Sequence, residues 1–424
     1  MSKELESTIK KKVSKKAKPK PPETSKHLST GCTLTDLVLG GGAGMGFALK
    51  KVHNVVGDSS SGKTFLAMET IAANHYQSPK HFKWNFDDGE EGNTFDTKKL
   101  YGFEAVREDV DLKSKTVEEF DVNVRRFVRK KCHRPTSHGA YFIDSLDGLS
   151  DADKEERADE RYKQAEAGKD VKDAGTYGVA TPKFLSQEFF KTKTSEFAQS
   201  NASLIIVSQV RENINAGLFG KKLKRNGGKA LDFYAHTVCW LATIKKIKKK
   251  DCNGVEQHVG TITELKTTKS KTPRPYRSCR FIFFFDYGID NIGTNLHYLY
   301  DVWGEDGKLK KSAQSIPWGG TQALNLKSAK AFLEENGILD DAKEDHREEF
   351  GKRNLKLDRI KEWMEEHDLF EKWKEVFGTP RSYDELRLEI ANDPKLAKQL
   401  EQLVIDKWEA GEASIKTTIP RKYS

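Results

Sequence analysis

The eight residues GDSSSGKT, Gly57 to Thr64, restrict the fold of this chain more than any other stretch. They satisfy G-x-x-x-x-G-K-[ST] at every fixed position, follow the apolar run VHNVV and precede the helix-forming FLAMETIAANHY. Strand, glycine loop and helix in that order build a cradle for phosphate oxygens. Gly57 and Gly62 let backbone N–H groups turn inward, and the helix N-terminus adds a favourable dipole. Asp58, Ser59, Ser60 and Ser61 form the turn between the two glycines. Lys63 reaches β- and γ-phosphates, and the Thr64 hydroxyl is placed to ligate Mg2+.

Downstream, AYFIDSLDGL reads as an apolar strand ending in Asp144. A carboxylate at a strand's carboxyl end, next to a phosphate loop, suits the Mg2+ shell, here through a water. Hydrolysis also needs a group that orients or deprotonates water. The turn NFDDGEEGNTFD offers Asp87, Asp88, Glu90, Glu91 and Asp96, and spacing alone does not choose among them.

The alternation of short apolar runs with helix-length segments continues from residue 28 to 292. KVHNVV, FKWNF, GAYFID and SLIIVSQ are rich in β-branched and aromatic residues and read as buried parallel strands covered by helices. TVCWLATIKKI and VGTITELKTT flank an Asn-Gly turn and read as a hairpin, and CRFIFFF as a further strand. The expected fold class is α/β: a mostly parallel twisted sheet with helices on both faces and an antiparallel edge hairpin. Residues 1–27 form a lysine- and proline-rich arm too polar to offset the entropy of ordering. Residues 293–424 carry helical periodicity with many charges and the indoles Trp363, Trp373 and Trp408, which indicates a small helical C-terminal domain. Residues 151–180 interrupt the core with a charged, glycine-punctuated insertion.

Composition narrows the setting. No run approaches the ~20 apolar residues of a membrane span, and no apolar N-terminal segment suggests a secretory signal. A cytoplasmic protein without a membrane partner is therefore expected. The five cysteines are scattered without C-x-x-C spacing, which indicates neither a disulfide framework nor a zinc site. A net charge of +9 is compatible with nucleic acid without establishing it.

One stretch is harder to explain as scaffold. NAGLFGKKLKRNGGKA, residues 215–230, holds four glycines, five basic residues and a single aromatic. Such a loop buries little by itself. Lys221, Lys222, Lys224, Arg225 and Lys229 can neutralise phosphates of a single strand, and Phe219 can stack on bases without reading sequence. Gly220, Gly227 and Gly228 allow close approach to a nucleic-acid backbone. A lysine-rich solvated surface loop is the plainer reading.

In chain order, LSTGCTLTDLVLGGG, the phosphate loop, FDDGE, SQVRENINAGLFGKKLKRNGGKALDFYA and KSKTPRPY resemble the RecA family of ATP-dependent strand-exchange recombinases. The resemblance implies ATP as the nucleotide, Glu90 as the catalytic glutamate, and Gln209 as a sensor of the γ-phosphate. It also implies a second DNA-binding loop running from Arg211 to Lys229. Lys269 and Lys271, alternating on one strand face, would reach the nucleotide of a neighbouring subunit. Asp96 and Tyr101 fall where the family contacts adenine; read as residues, they are equally a helix N-cap and a core tyrosine. Tyr177 is the candidate in a first DNA loop at 151–180. The implied partners are single-stranded DNA, a homologous duplex, further copies in a helical filament, and a single-strand-binding or loader protein. The bacterial proteins' docking helix has no recognisable counterpart, a divergence that suits a bacteriophage-encoded member. A ring-shaped replicative helicase and an ATP-binding annealing or loader protein remain alternatives.

Overall fold

A computed structural model of the chain describes residues 26–92, 95–133, 136–150, 160–167, 188–212, 223–225, 228–271, 274–306, 308–310, 316–317, 365–366, 368, 380–381 and 383–416. Tyr177, Phe219, Gly220, Lys221, Lys222, Gly227, Trp363 and Trp373 lie outside them. So does most of the 151–180 insertion, and so do residues 1–25 of the basic arm. For Arg211, Lys224, Arg225, Gly228 and Lys229 the backbone alone is described. Two compact units emerge: residues 1–243, 263–279 and 286–289 form one, and 244–262, 280–285 and 290–424 the other.

In the first unit, β1 (His27–Leu28) and β2 (Phe47–Ala48) make a small antiparallel pair around the short helix α1 (Thr33–Leu39). The main parallel strands follow: β3 (Val52–Gly57), β4 (Phe82–Asp87), β5 (His138–Ile143) and β6 (Ala202–Glu212). Every residue of β3 and of β5 is buried, as expected of strands covered on both faces. The helix after the phosphate loop, α2 (Lys63–Gln77), buries Phe65, Leu66, Met68 and Ile71. After the short α3 (Thr97–Tyr101) comes α4 (Val117–Lys131), started by the Thr116 hydroxyl accepting from the Glu119 N–H. Glu118 and Glu119 in its first turn and Arg129, Lys130 and Lys131 in its last complement the helix dipole. Phe120, Val124 and Phe127 of α4 pack with Tyr141 and with Phe190 and Phe197 of α5 (Phe190–Gln199) into one core.

Beyond β6 the chain turns back as β7 (Leu223–Arg225), which pairs antiparallel to it, and then forms α6 (Gly228–Tyr234). Part of the 215–230 stretch is therefore regular structure: Leu223–Arg225 pair with β6, and Gly228 to Ala230 begin α6. Three further strands are β8 (Thr237–Lys250), β9 (Glu256–Ser270) and β10 (Ser278–Phe284), followed by β11 (Gly288–Ile289). The main sheet runs β11-β10-β9-β8-β3-β6-β5-β4, with β7 beside β6. β3 pairs parallel with β6 and β8, and β5 pairs parallel with both β6 and β4. This mixed sheet with its parallel centre is the α/β class expected.

Register carries the functional consequence. Gly57 lies opposite Gln209, and Asp87 opposite Ile143, so the phosphate loop, the acidic turn, Asp144 and Gln209 all leave the sheet at the carboxyl ends of adjacent strands. That edge is where α/β sheets bind ligands.

The second unit holds the outer parts of β8 and β9, joined by a turn in which Gly254 takes φ of +79° and Asp251 accepts from the N–H groups of Asn253 and Val255. Helices α7 (Asn291–Tyr300), α8 (Tyr383–Asn392) and α9 (Pro394–Ser414) pack Leu296, Leu386, Ile390 and Leu400 against Ile247, Ile262 and Ile282. Asp290 caps α7 by accepting from the Gly293 N–H at 2.8 Å, and Arg387 of α8 pairs with the same carboxylate at 2.8 Å. Trp408 lies half-buried on α9.

Candidate functional site

The phosphate loop is shaped by backbone constraints that a side chain would violate. Gly62, which caps α2, takes φ of +91°, a region that glycine occupies without a Cβ penalty. A Cβ on Gly57 would stand 2.5 Å from the Ser61 hydroxyl and 2.9 Å from the Leu241 carbonyl. Ser61 donates its hydroxyl to the Asp58 carbonyl at 2.8 Å, and Thr263 of β9 donates to the Ser61 carbonyl at 3.1 Å. Asp58, Ser59 and Ser60 are exposed at the mouth of the turn. The Lys63 ammonium donates to the Asp58 carbonyl at 2.7 Å. Burial lowers its pKa, opposed by the carboxylates of Asp144, Glu90, Asp58 and Asp147. A glycine turn at a helix N-terminus with one desolvated ammonium fits the polyphosphate of a nucleotide.

Thr64 donates its hydroxyl to Asp144 Oδ2 at 2.6 Å. Desolvation pushes the Asp144 carboxyl up to about 6; Glu90 and Asp88 push the same way, while Thr64 and Lys63 resist. A hydroxyl and a carboxylate at contact distance are hard oxygen donors of the kind Mg2+ takes along with phosphate oxygens and water.

Glu90 sits at the centre of a small network. Its Oε1 accepts from the Ser145 hydroxyl and from the Gln209 side-chain amide, the latter at 2.7 Å. The Gln209 backbone N–H donates to Asp147 Oδ2 at 2.8 Å. A Cβ on Gly148 would lie 2.2 Å from the Gly89 carbonyl oxygen, so the acidic turn and the 3-10 turn Leu146–Gly148 touch backbone to backbone. The sequence reading missed Ser145, Asp147, Gly89, Gly148 and Thr263. The motif DSLDG held a signal for the first two, since it supplies polar groups at a strand's carboxyl end.

Two of the other acidic candidates, Asp87 and Asp96, are engaged elsewhere. Asp87 is buried and accepts from the Ser114 N–H at 2.8 Å and from the Tyr141 hydroxyl at 2.5 Å, with desolvation raising it to about 6. It pins β4 to β5. Asp96 caps α3 by accepting from the Lys99 N–H at 2.9 Å. Tyr101 is buried with its hydroxyl against the Glu69 carboxylate and Gly288. Both residues thus have scaffold tasks in this fold.

The description "RecA N-terminal domain" belongs to the family model that matches residues 163–290. Among curated proteins, Protein RecA of Corynebacterium aurimucosum is 26% identical over 316 residues, covering 74% of each chain. Protein RecA of Wolinella succinogenes is 26% identical over 319 residues, 75% of this chain and 81% of that one. Together these likenesses support a divergent RecA-family member. The match to Protein RecA of Corynebacterium jeikeium, 29% identical over 174 residues, spans 44% of that protein and 41% of this one. A crystal structure of the RadB recombinase covers 62% of this chain and 98% of its own at 16% identity and a TM-score of 0.41. At that level the fold is judged from strand order, as above.

The residues expected to act in trans lie at the other end of the central strand. The Lys269 ammonium donates to the carbonyls of Asp232 and Phe233, at the C-terminus of α6, the latter at 2.7 Å. The Lys271 N–H donates to the His236 carbonyl, and the His236 N–H donates to Val52, the first residue of β3. The five residue steps of β3 from Val52 to Gly57, at ~3.3 Å each, put that level roughly 16 Å from Gly57. Arg211 pairs through its backbone with Lys224, and Val210 with Arg225, so the hairpin that opens the expected DNA loop begins immediately after Gln209. Among the described residues no helix is long and apolar enough to cross a membrane.

Proposed function

We propose that this RecA-family chain is an ATP-dependent recombinase that assembles on single-stranded DNA as a helical filament and pairs it with a homologous duplex. Mg2+-bound ATP supplies the phosphoanhydride bond whose cleavage drives turnover. Gly57 to Gly62 and Lys63 would hold its phosphates, and Thr64 with Asp144 would hold Mg2+, Asp144 through water. Glu90, with Oε1 occupied by Ser145 and Gln209, would take a proton from water at its remaining carboxylate oxygen. Lys269 and Lys271 would stabilise charge at a neighbour's nucleotide, as an arginine finger does. Such a contact is head-to-tail and extends into an open helix unless it closes.

The observation that supports this reading best is the hydrogen bond from Gln209 to Glu90. It joins the strand that enters the basic hairpin to the candidate catalytic carboxylate. A change at the nucleotide can thereby reach the DNA-facing loop, and the reverse. A ring-shaped helicase would use the same core, but the Phe219–Gly220 and Gly227–Gly228 pairs favour a loop that lies along a strand. The insertion at 151–180 and the distance from bacterial relatives suit a bacteriophage-encoded protein working in a bacterial cytoplasm with a single-strand-binding or loader partner.

The test is negative-stain electron microscopy of the protein on long single-stranded DNA with Mg2+ and a slowly hydrolysed ATP analogue. Continuous helical filaments that need nucleotide are expected. Closed rings would select the helicase, and bare DNA would remove the role given to residues 211–229.

A further inference from the structure

At the amino end of β3, away from the phosphate loop, a cavity of about 90 Å³ opens between Lys50, Lys51, Tyr234, His236 and Lys271. None of the side chains that line it is acidic. His236 is fixed there by its main chain, which donates to Val52 at 2.7 Å and accepts from Lys271 at 3.0 Å. The ring is half-buried, with Nδ1 3.1 Å from the Thr237 hydroxyl and the His53 ring 5.7 Å away. The charged or titratable groups facing it are Lys51 before β3, His27 on β1, and Lys269 and Lys271 at the end of β9. All are basic. Burial and these cations hold the imidazole down at about 4, and His53, fully buried, is held at about 3. Lys50, Lys51, His236 and Lys271, around a small cavity whose described lining holds no acidic side chain, repel one another. That arrangement is costly unless an anion joins it.

We propose that Lys51, His236 and Lys271 form a phosphoryl-anion site, filled in the assembled protein by terminal phosphate oxygens of the nucleotide held by a second copy of this chain. The site rests on the trans role given above to Lys269 and Lys271, and adds to it two residues from other parts of the chain. The distance along β3 excludes the chain's own phosphate loop as the source of the anion. An arriving phosphate reverses the local field, so His236 takes up a proton from solvent and donates it as a hydrogen bond to a phosphate oxygen. His236 then acts as a proton-coupled reporter of a neighbour's nucleotide, at the foot of the helix that ends the DNA-loop segment.

Two measurements test this. The first is calorimetric titration of pyrophosphate into full-length Lys63→Ala protein, whose own phosphate loop is disabled, in two buffers of different ionisation enthalpy. One site with net proton uptake is expected. His236→Gln should abolish the uptake, and Lys51→Ala with Lys271→Ala should weaken binding on the order of tenfold or more, the loss of about 1.4 kcal/mol or more. Binding and uptake unchanged by these substitutions would overturn the site. The second is DNA-stimulated ATP turnover in mixtures. His236→Gln should slow turnover roughly tenfold or more and remove a decline that wild type shows as pH rises. Mixing it with Lys63→Ala, which contributes an intact His236 but no turnover, should restore activity above the sum of the two. If Lys269→Ala is rescued by Lys63→Ala while His236→Gln turns over like wild type, the trans reading stands and this inference is lost. If neither variant is rescued, the trans reading falls with it.

Discussion

Asp144 shows how a single residue is used against its own solvation. Its carboxyl titrates near 6 because burial outweighs the help of Thr64 and Lys63. The folded state therefore binds more protons than the unfolded chain between about pH 4 and 6, and stability falls as pH rises through that window. Asp144→Asn keeps an acceptor for Thr64 and removes the charge. Without nucleotide it should match wild type near pH 3.5 and be more stable above pH 6. Asp144 keeps some solvent contact, so the gain should be roughly 1–2 kcal/mol. Melting curves at both pH values check this, and Mg2+-dependent turnover should fall in the same variant. Gly148 is a second case. A Cβ there would stand 2.2 Å from the Gly89 carbonyl, so Gly148→Ala must push the acidic turn away. We expect turnover to fall by about tenfold to a hundredfold through misplacement of Glu90, with nucleotide affinity little changed; equal losses in both would refute the positioning role.

At the scale of elements, α6 is the informative piece. It is a seven-residue helix that follows the expected DNA loop, and its terminal carbonyls are held by Lys269 from β9. The lysine expected to reach a neighbour's nucleotide thus also ties down the segment after the loop. Lys269→Ala should speed amide exchange over residues 230–236 by about tenfold or more, since both charge-assisted bonds to Asp232 and Phe233 are lost and one such bond alone contributes ~1.5 kcal/mol, before any DNA or nucleotide is added. Exchange unchanged at those amides would mean that the cap contributes nothing in solution. In the second unit, α8 supplies Arg387 to the buried Asp290 that starts α7. Arg387→Ala would strand that carboxylate, and a loss of about 3 kcal/mol in denaturant unfolding is expected.

For the whole molecule, the strand order decides what meets what. β3, β6, β5 and β4 are contiguous, so residues 57, 209, 144 and 90 come to one edge from four parts of the chain. If turnover and DNA binding are separable functions of that assembly, Glu90→Gln should abolish ATP turnover and leave single-stranded DNA binding intact, read by phosphate release and by fluorescence anisotropy. DNA binding should weaken with salt. Lys221→Ala with Lys222→Ala should reduce the slope of log affinity against log salt by about 0.7 per lost phosphate contact. An unchanged slope would return these lysines to the role of solubilising surface.

Local patterns were enough to read the phosphate loop, the parallel strands and the Asn-Gly hairpin, because each depends on side-chain period and glycine placement over a few residues. The RecA likeness of FDDGE and SQVRENINAGLFG pointed to Glu90 and Gln209, but no spacing joined them. Their hydrogen bond exists because β4, β5 and β6 pair in a register that sets Asp87 beside Ile143 and Ile143 beside Ile206, so the ends of β4 and β6 meet. Ser145, Gly148 and Thr263 escaped notice for the same reason: each matters through a neighbour far away in sequence. Lys51 and His236 are ordinary surface letters until β3, β8 and β9 bring their ends together. Chain-local chemistry is written in adjacent residues, whereas a site made of strand ends depends on pairing register, and register is settled by which faces the assembled core can bury.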